Sequence, residues 1–314
     1  MWLVATKKKI SAPHKDHAEL FRDAILALEA KRKSRIFCFI EGEGDHICPQ
    51  HTLPRIFHLR DQLQNLKTLE ILIHSSGGNA GAAYRIAKFF RRRCKTLNVI
   101  VPFQAKSAAT LMCLAADNIY LSEYAELGPI DVQVTDHLER GAHPFSPLDE
   151  FKSLEFLRDY AIGSLDYFTA VLLERSGMSI KEALHESIPC ITALMRPMFE
   201  KIDPLKFGEH KRMLSEGEEY AQRLLKAAQN SNHVEVAAKL VENYPVHDFV
   251  IDLEEAEELG LPVKVLDNAE FEMLQESMRG LAHQGFYGFV QQKRKRTAQK
   301  GLAVVPKAVA RATA

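Results

Sequence analysis

The sequence predicts an α/β protein built on a parallel sheet of repeated βαβ units, with a mainly helical region towards the C-terminus. Short apolar runs alternate with helical segments of about 10–15 residues, which is typical of parallel strands joined by crossover helices. The continuous apolar run at 36–40 indicates a strand buried on both faces of the sheet. From about residue 147 to residue 244 the apolar spacing is helical.

The elements are predicted in order along the chain. Apolar residues at helical spacing predict a first helix over 18–28. Thr52 is expected to cap a helix that carries Pro54 in its first turn and continues to Leu66. Further helices are predicted at 80–93, just after residue 107, and at 253–259, where Gly260 ends the helix. The remaining strands are predicted at 69–74, 97–101, 119–121, 248–251 and 263–266.

Length and composition bound the domain organisation. A chain of 314 residues corresponds to about two domains of roughly 150 residues, or to one large α/β domain with appendages. We expect a helical N-terminal extension over 1–34, a main domain over 35–267 with a helical insertion at about 150–244, and a C-terminal helix with a basic tail over 268–314. The tail carries five cations between Lys293 and Lys300 and is expected to be a solvated terminus.

Charge, hydropathy and cysteine usage exclude several classes of protein. Lys and Arg number 41, as do Asp and Glu, so there is no global basic field and no nucleic-acid partner is expected. No apolar run approaches the roughly 18 residues of a membrane span, so no membrane partner is expected either. Five cysteines without a C-x-x-C pair favour reduced thiols. The N-terminus has its apolar part before its positive part, unlike a secretory signal, so we expect a cytoplasmic protein.

A pair of glycines follows the strand predicted at 69–74. Gly77 and Gly78 come just before a predicted helix, where backbone N–H groups are free to approach an anion or an oxyanion. The loop lacks the lysine of a phosphate-binding loop and the spacing of a dinucleotide fingerprint. Taken alone, it is equally well a tight turn between a strand and a helix.

A serine follows the next strand. Ser107 opens a predicted helix of small residues, and Ala108 after it can offer a backbone N–H to an oxyanion. Because the carboxyl ends of neighbouring parallel strands meet at one edge of a sheet, Ser107 and the two glycines are expected to lie close together. The alternative is that the Ser107 hydroxyl merely caps its helix.

The order of these motifs resembles that of the Clp-fold serine proteases. Gly77-Gly78, then 107–110 (Ser-Ala-Ala-Thr), then 127–131 (Leu-Gly-Pro-Ile-Asp) are most similar to the serine dehydrogenase proteinase family, which is related to the Clp protease proteolytic subunit and to signal peptide peptidase. Further matches at 196–197, 201–204, 218–220 and 244–252 extend the resemblance over roughly residues 35–267. The resemblance implies the ClpP/crotonase-like fold, serine peptidase activity on protein or peptide substrates, no cofactor and no metal, and a homo-oligomer.

The resemblance also assigns roles to residues. Ser107 matches the nucleophile, and Gly78 with Gly77 before it matches the oxyanion-hole glycines, while Ala108 supplies the second N–H. This chain has Ser75-Ser76 where the family usually has Pro or Thr-Pro, and Ala109 where Gly is usual. Neither departure removes a functional atom.

The general base is left open by the sequence. The Clp protease subunit uses a histidine soon after the serine, but the segment around Asp131 contains none. Signal peptide peptidases use a lysine, and Lys152, 45 residues after Ser107, could act if it is desolvated. His247, beside Asp248, is the second candidate. Asp131 could orient a base or shape its loop, and Lys106 is expected to point away from the site.

The sequence leaves two other functions open and contains one cluster of residue types that can bind metals. Without an identified base, the chain could be a catalytically silent Clp-fold binding or scaffold protein. A crotonase-type acyl-CoA enzyme shares the oxyanion hole, but such enzymes rely on pocket carboxylates and have no serine at this helix start. The segment 45–51 contains Asp, His and Cys, yet one compact loop cannot easily wrap a metal, so a surface loop is expected.

Overall fold

The computed structural model describes residues 17–64, 66–133, 146–279 and 285–291. The basic tail predicted from Lys293 to Lys300 lies outside these ranges. The strands are β1 Arg35–Ile40, β2 Leu66–His74, β3 Cys94–Val101, β4 Gln104–Ala105, β5 Asn118–Leu121, β6 Glu126–Leu127, β7 Val263–Val265 and β8 Phe286–Phe289. The helices are α1 His17–Arg32, α2 Thr52–His58, α3 Ala80–Arg91, α4 Ala108–Cys113, α5 Pro147–Ser176, α6 Ile180–Phe199, α7 Pro204–Ala227, α8 His233–Glu242, α9 Leu253–Glu258 and α10 Asn268–Met278.

The main sheet has six strands in the order β7-β5-β3-β2-β1-β8. All neighbours are parallel except β8, which pairs antiparallel with β1. The α/β fold with a mostly parallel sheet is therefore confirmed, and β8 was not predicted. Helices α3, α4, α7 and α8 contribute to the hydrophobic core on one face of the sheet, while α1 and α10 cover the other face.

Three predicted elements differ in the structure. The helix from Thr52 ends at His58, and β2 already begins at Leu66, because a short 3-10 turn at Arg60–Leu63 separates them. Thr52 is not the cap; its hydroxyl accepts a hydrogen bond from the Cys48 N–H at 2.9 Å. The strand predicted at 248–251 is a turn, in which only residue 251 makes a bridge.

A second, two-stranded sheet lies between the carboxyl ends of the main strands and the residues of the candidate site. Strands β4 and β6 pair in parallel with Ala105 opposite Leu127. Isolated bridges continue this small sheet on both sides, from Ser75 to Ala105 and from Leu127 to Ile251. Segments that are far apart in sequence thus meet beyond the carboxyl ends of β2 and β3.

The helical region protrudes from this body as a hairpin of α5 and α6. Beyond Leu148, the 30-residue helix α5 has no buried residue. Helix α6 buries a single seam at four-residue intervals, from Ala183 to Met195. Across the described residues, no helix combines the length and the apolar character that crossing a bilayer requires.

Candidate active site

Ser107 occupies a sharp turn between β4 and α4. Its backbone has φ 50° and ψ −118°, a region that residues with a side chain rarely adopt. The hydroxyl makes no capping hydrogen bond, so the alternative that Ser107 merely caps the helix is wrong. In α/β-hydrolases, a strand-turn-helix junction of this kind exposes the nucleophilic serine.

Hydrogen bonds on both sides hold this turn in its strained conformation. The Lys106 N–H donates to the Ser75 carbonyl at 3.0 Å, and the Ala109 N–H donates to the Lys106 carbonyl at 2.8 Å. The Thr110 hydroxyl donates to the Ala105 carbonyl at 2.6 Å and accepts from the Gly128 N–H at 3.0 Å. Such strain persists only where the surroundings over-determine the conformation, as they do here.

The Ser107 turn packs closely against Gly77, which has no side chain. A Cβ on Gly77 would lie 2.7 Å from the Lys106 carbonyl oxygen and 2.8 Å from the Ser107 Cβ, and its φ of 105° also favours glycine. A Cβ on Gly78, at φ 135°, would meet the backbone of Ile47 at 2.5 Å. Both positions therefore exclude a side chain, for steric as well as conformational reasons.

The peptide between the two glycines has a defined direction. The Ile47 N–H donates to the Gly77 carbonyl at 2.8 Å, and the Asn79 N–H donates to the Ile47 carbonyl at 2.8 Å. Because N–H and C=O point in opposite directions in a trans peptide, the Gly78 N–H points away from Ile47. Neither this N–H nor that of Ala108 donates a hydrogen bond to another described residue.

The structure pairs two of the sequence-predicted residues, His247 and Asp131. The antiparallel bridge between Leu127 and Ile251 sets the register, and four residues beyond it on each segment Asp131 and His247 face each other. His247 Nδ1 lies 2.8 Å from Asp131 Oδ1, and the carboxylate is buried. His247 thus pairs with Asp131 rather than with its neighbour Asp248, and its Nε2 is the nitrogen left for proton transfer.

Lys106 links this pair to the serine turn. Its Nζ lies 3.1 Å from Glu126 Oε2. The same ammonium donates to the carbonyl of Asp248 at 3.4 Å, directly after His247. The residue before the serine therefore holds the segment that carries the imidazole.

Lys152, the other candidate for the base, is exposed to solvent. It is in the second turn of α5, its side chain is 55% exposed, and its Nζ is 3.4 Å from Glu155 Oε2. The structure of this chain therefore does not bury Lys152 as a lysine base would require.

Sequence reasoning missed several residues that build the site. Ile47, in the segment predicted as a surface loop, is fully buried and clasps the glycines through its backbone. Glu41 follows β1 at the sheet edge where β2 also ends, and that position was the available signal. Within the described ranges, no group of three or more His, Cys, Asp or Glu side chains is arranged to hold a metal ion.

Comparison with known proteins gives a family match over part of the chain. Residues 55–140 match the family model of ClpP-like SDH-type serine proteinases. The matched segment contains Gly77, Gly78, Ser107, Ala108 and Asp131. The resemblance seen in the sequence is thus confirmed.

The relatives and solved structures that are similar to this chain share less than 30% of its residues. Two uncharacterized proteins of Methanocaldococcus jannaschii match over 197 residues each. MJ0137 is 29% identical, and the match covers 63% of this chain and 54% of MJ0137. MJ1495 is 24% identical, and the match covers 62% of this chain and 51% of MJ1495. The chain thus spans about half the length of the curated relatives it matches. A serine-to-alanine mutant of the 1510-N membrane-bound stomatin-specific protease aligns at 13% identity and a TM-score of 0.43, covering 77% of this chain and 82% of its own. The ClpP protease catalytic domain from Plasmodium falciparum aligns at 13% and 0.37, covering 83% and 96%.

Proposed function

We propose that this protein is a serine peptidase that hydrolyses peptide bonds in protein or peptide substrates, with Ser107 as the nucleophile. The observation that carries the proposal is the Ser107 turn, which has a positive φ and a hydroxyl that does not cap its helix. A serine with only a structural role at this position would be expected to accept a capping hydrogen bond from the first turn of the helix. The family match over 55–140 supports the same chemistry.

In the proposed reaction, His247 Nε2 takes the proton of Ser107 Oγ while Oγ bonds to the carbonyl carbon of the scissile peptide. Asp131, bonded to Nδ1, orients the imidazole and stabilises its charged form. The carbonyl electron pair moves onto oxygen, which accepts hydrogen bonds from the N–H groups of Gly78 and Ala108. Each such donor can contribute about 2.7–4 kcal/mol to the transition state.

Collapse of this intermediate breaks the C–N bond, and the imidazolium gives its proton to the leaving amine. Water then attacks the acyl-enzyme with His247 again as the base, and the proton returns to Ser107 as the acid product leaves. Every proton is thus carried by one imidazole, without a cofactor.

Labelling with a fluorophosphonate, read by intact mass, tests this proposal. We expect one adduct on the wild-type protein and none on Ser107→Ala, because only an activated serine displaces fluoride from the probe. Ser76→Ala, which changes an exposed serine of the neighbouring loop, is the matched control and should label like the wild type. Absence of an adduct on folded wild-type protein would instead favour a catalytically silent binding protein.

A homo-oligomer is the second part of the proposal, and its support is the α5–α6 hairpin. Eight aromatic and aliphatic side chains on the hairpin are at least 45% exposed, and such a concentration of exposed apolar groups is typical of an interaction surface. They include Phe156, Tyr160, Ile162, Tyr167, Ile180, Ile188, Leu194 and Phe199. The same helices carry both positive and negative side chains, as in the exposed pairs Arg158–Asp159 and Arg196–Glu200. Two identical copies can therefore meet without a net repulsion of like charges.

Sedimentation velocity over a range of concentrations tests the assembly. We expect a species larger than the 35.5 kDa chain, and dissociation when Phe156 and Tyr167 are both replaced by Glu. A monomer at micromolar concentration would contradict this part of the proposal without affecting the labelling result.

A cytoplasmic location completes the proposal. All five cysteines are free, and Cys38 and Cys113 are fully buried, where burial raises the pKa of each thiol. Buried thiols of this kind are inert and compatible with a reducing compartment. Fractionation of cells that express the protein would test the location.

A further inference from the structure

Glu41 is a buried carboxylate at the edge of the site that the proposed reaction does not use. It directly follows β1, is only 5% exposed, and its burial raises its pKa above that of an ordinary glutamate. Its backbone N–H donates to the His74 carbonyl at 2.9 Å, so Glu41 is fixed beside the end of β2. A carboxylate is costly to bury, and it is retained only where it is hydrogen-bonded.

Both oxygens of Glu41 accept hydrogen bonds from hydroxyl groups. The Ser75 hydroxyl donates to Oε2, and the Tyr287 hydroxyl of β8 donates to Oε1 at 3.0 Å. Because a serine hydroxyl has one hydrogen, Ser75 Oγ is left as an acceptor for any further bond. It accepts the Gly77 N–H at 3.0 Å.

This chain of bonds ends on the glycine turn. The Gly77 N–H is held by Ser75 on one side, and the Gly77 carbonyl is held by Ile47 on the other. The two peptides that flank Gly77 are therefore both fixed, and the second of them carries the Gly78 N–H. The backbone of Ser75 in turn bonds to Gln104 and Lys106, next to Ser107.

We infer that Ser75 and Glu41 are positioning residues, which hold the Gly77–Gly78 turn so that the Gly78 N–H is aimed at the oxyanion. The inference rests on the proposed function. The serine at this position, where the family usually has Pro or Thr-Pro nearby, supplies the hydroxyl that connects the carboxylate to the turn.

The test is the rate of inactivation by a fluorophosphonate, separated into kinact and KI. In Ser75→Ala the Gly77 N–H and the Glu41 carboxylate each lose a buried partner, so the turn can shift. A displacement of about 1 Å costs on the order of 100-fold in rate, so we expect kinact to fall between about 10-fold and 100-fold with KI unchanged. Ser75→Thr keeps the hydroxyl and should restore kinact, whereas Ser76→Ala should leave it unaltered.

Glu41→Gln provides a second route if Ser75→Ala does not fold, as judged by circular dichroism. It keeps the shape of the side chain but replaces a charged acceptor by a neutral one, so we expect a smaller fall in kinact. Wild-type kinact in folded Ser75→Ala, or in Glu41→Gln where Ser75→Ala is unfolded, would overturn the inference. A wild-type protein that is not labelled would contradict the proposed function itself, so the two failures can be told apart.

Discussion

Replacing His247 with alanine is expected to reduce the rate of fluorophosphonate labelling by about 1,000-fold, because general-base catalysis typically contributes 10²–10⁴-fold. His247 is the proposed base, and its Nδ1 lies 2.8 Å from the buried carboxylate of Asp131. Time-resolved intact-mass measurements on the folded variant would give the rate.

Two further variants make this result specific. Asp131→Asn should also slow labelling, because an amide in place of the carboxylate cannot stabilise the imidazolium and can favour the wrong tautomer. Lys152→Ala is the matched control and should label at the wild-type rate, since Lys152 is exposed and paired with Glu155. A labelling rate that falls with Lys152→Ala and not with His247→Ala would reverse the assignment of the base.

Replacing Arg32 with leucine is expected to lower the free energy of unfolding by about 3–5 kcal/mol, the usual cost of leaving a buried charge without its partner. The Arg32 guanidinium lies 3.1 Å from Glu70 Oε1 and 2.6 Å from Glu270 Oε2, and these carboxylates are only 3% and 5% exposed. Glu270 also pairs with Lys31 at 2.9 Å, so Glu70 is the carboxylate that loses its cation. Arg32 therefore ties α1 to β2 and α10. Urea denaturation monitored by circular dichroism measures the effect.

The control for this prediction is a surface pair. Arg158→Ala breaks an ion pair with Asp159 in which both side chains are about two-thirds exposed, and no measurable change is expected. Combining Arg32→Leu with Glu70→Gln should recover much of the loss, because Glu70 is then neutral and Glu270 keeps its ion pair with Lys31. If Arg32→Leu alone were as stable as the wild type, the buried network would not be what holds α1 and α10 to the sheet.

The sheet could be predicted because its signals are local. Continuous apolar runs mark β1, β2, β3 and β5, and a segment with helical spacing follows each of the first three before the next strand of the main sheet. The antiparallel strand β8 could not be predicted in this way, because a four-residue edge strand is identified by its partner β1 rather than by its own pattern. The strand predicted at 248–251 was wrong because Phe249 and Ile251 pack on the core from a turn, while Val250 is half exposed.

The candidate site divides along the same line. The sequence by itself identified Ser107, Gly77, Gly78 and Ala108 as candidate site residues, because each follows a strand whose end lies at the same edge of the sheet.

Only the tertiary structure decided that His247 pairs with Asp131 and which residues support the glycine turn. His247 is 116 residues from Asp131, and Tyr287 is 246 residues from Glu41, so their pairing depends on strand register across the whole domain. Local sequence carries conformational preference, whereas a proton-transfer pair or a buried carboxylate is defined by the groups that folding brings within hydrogen-bond distance.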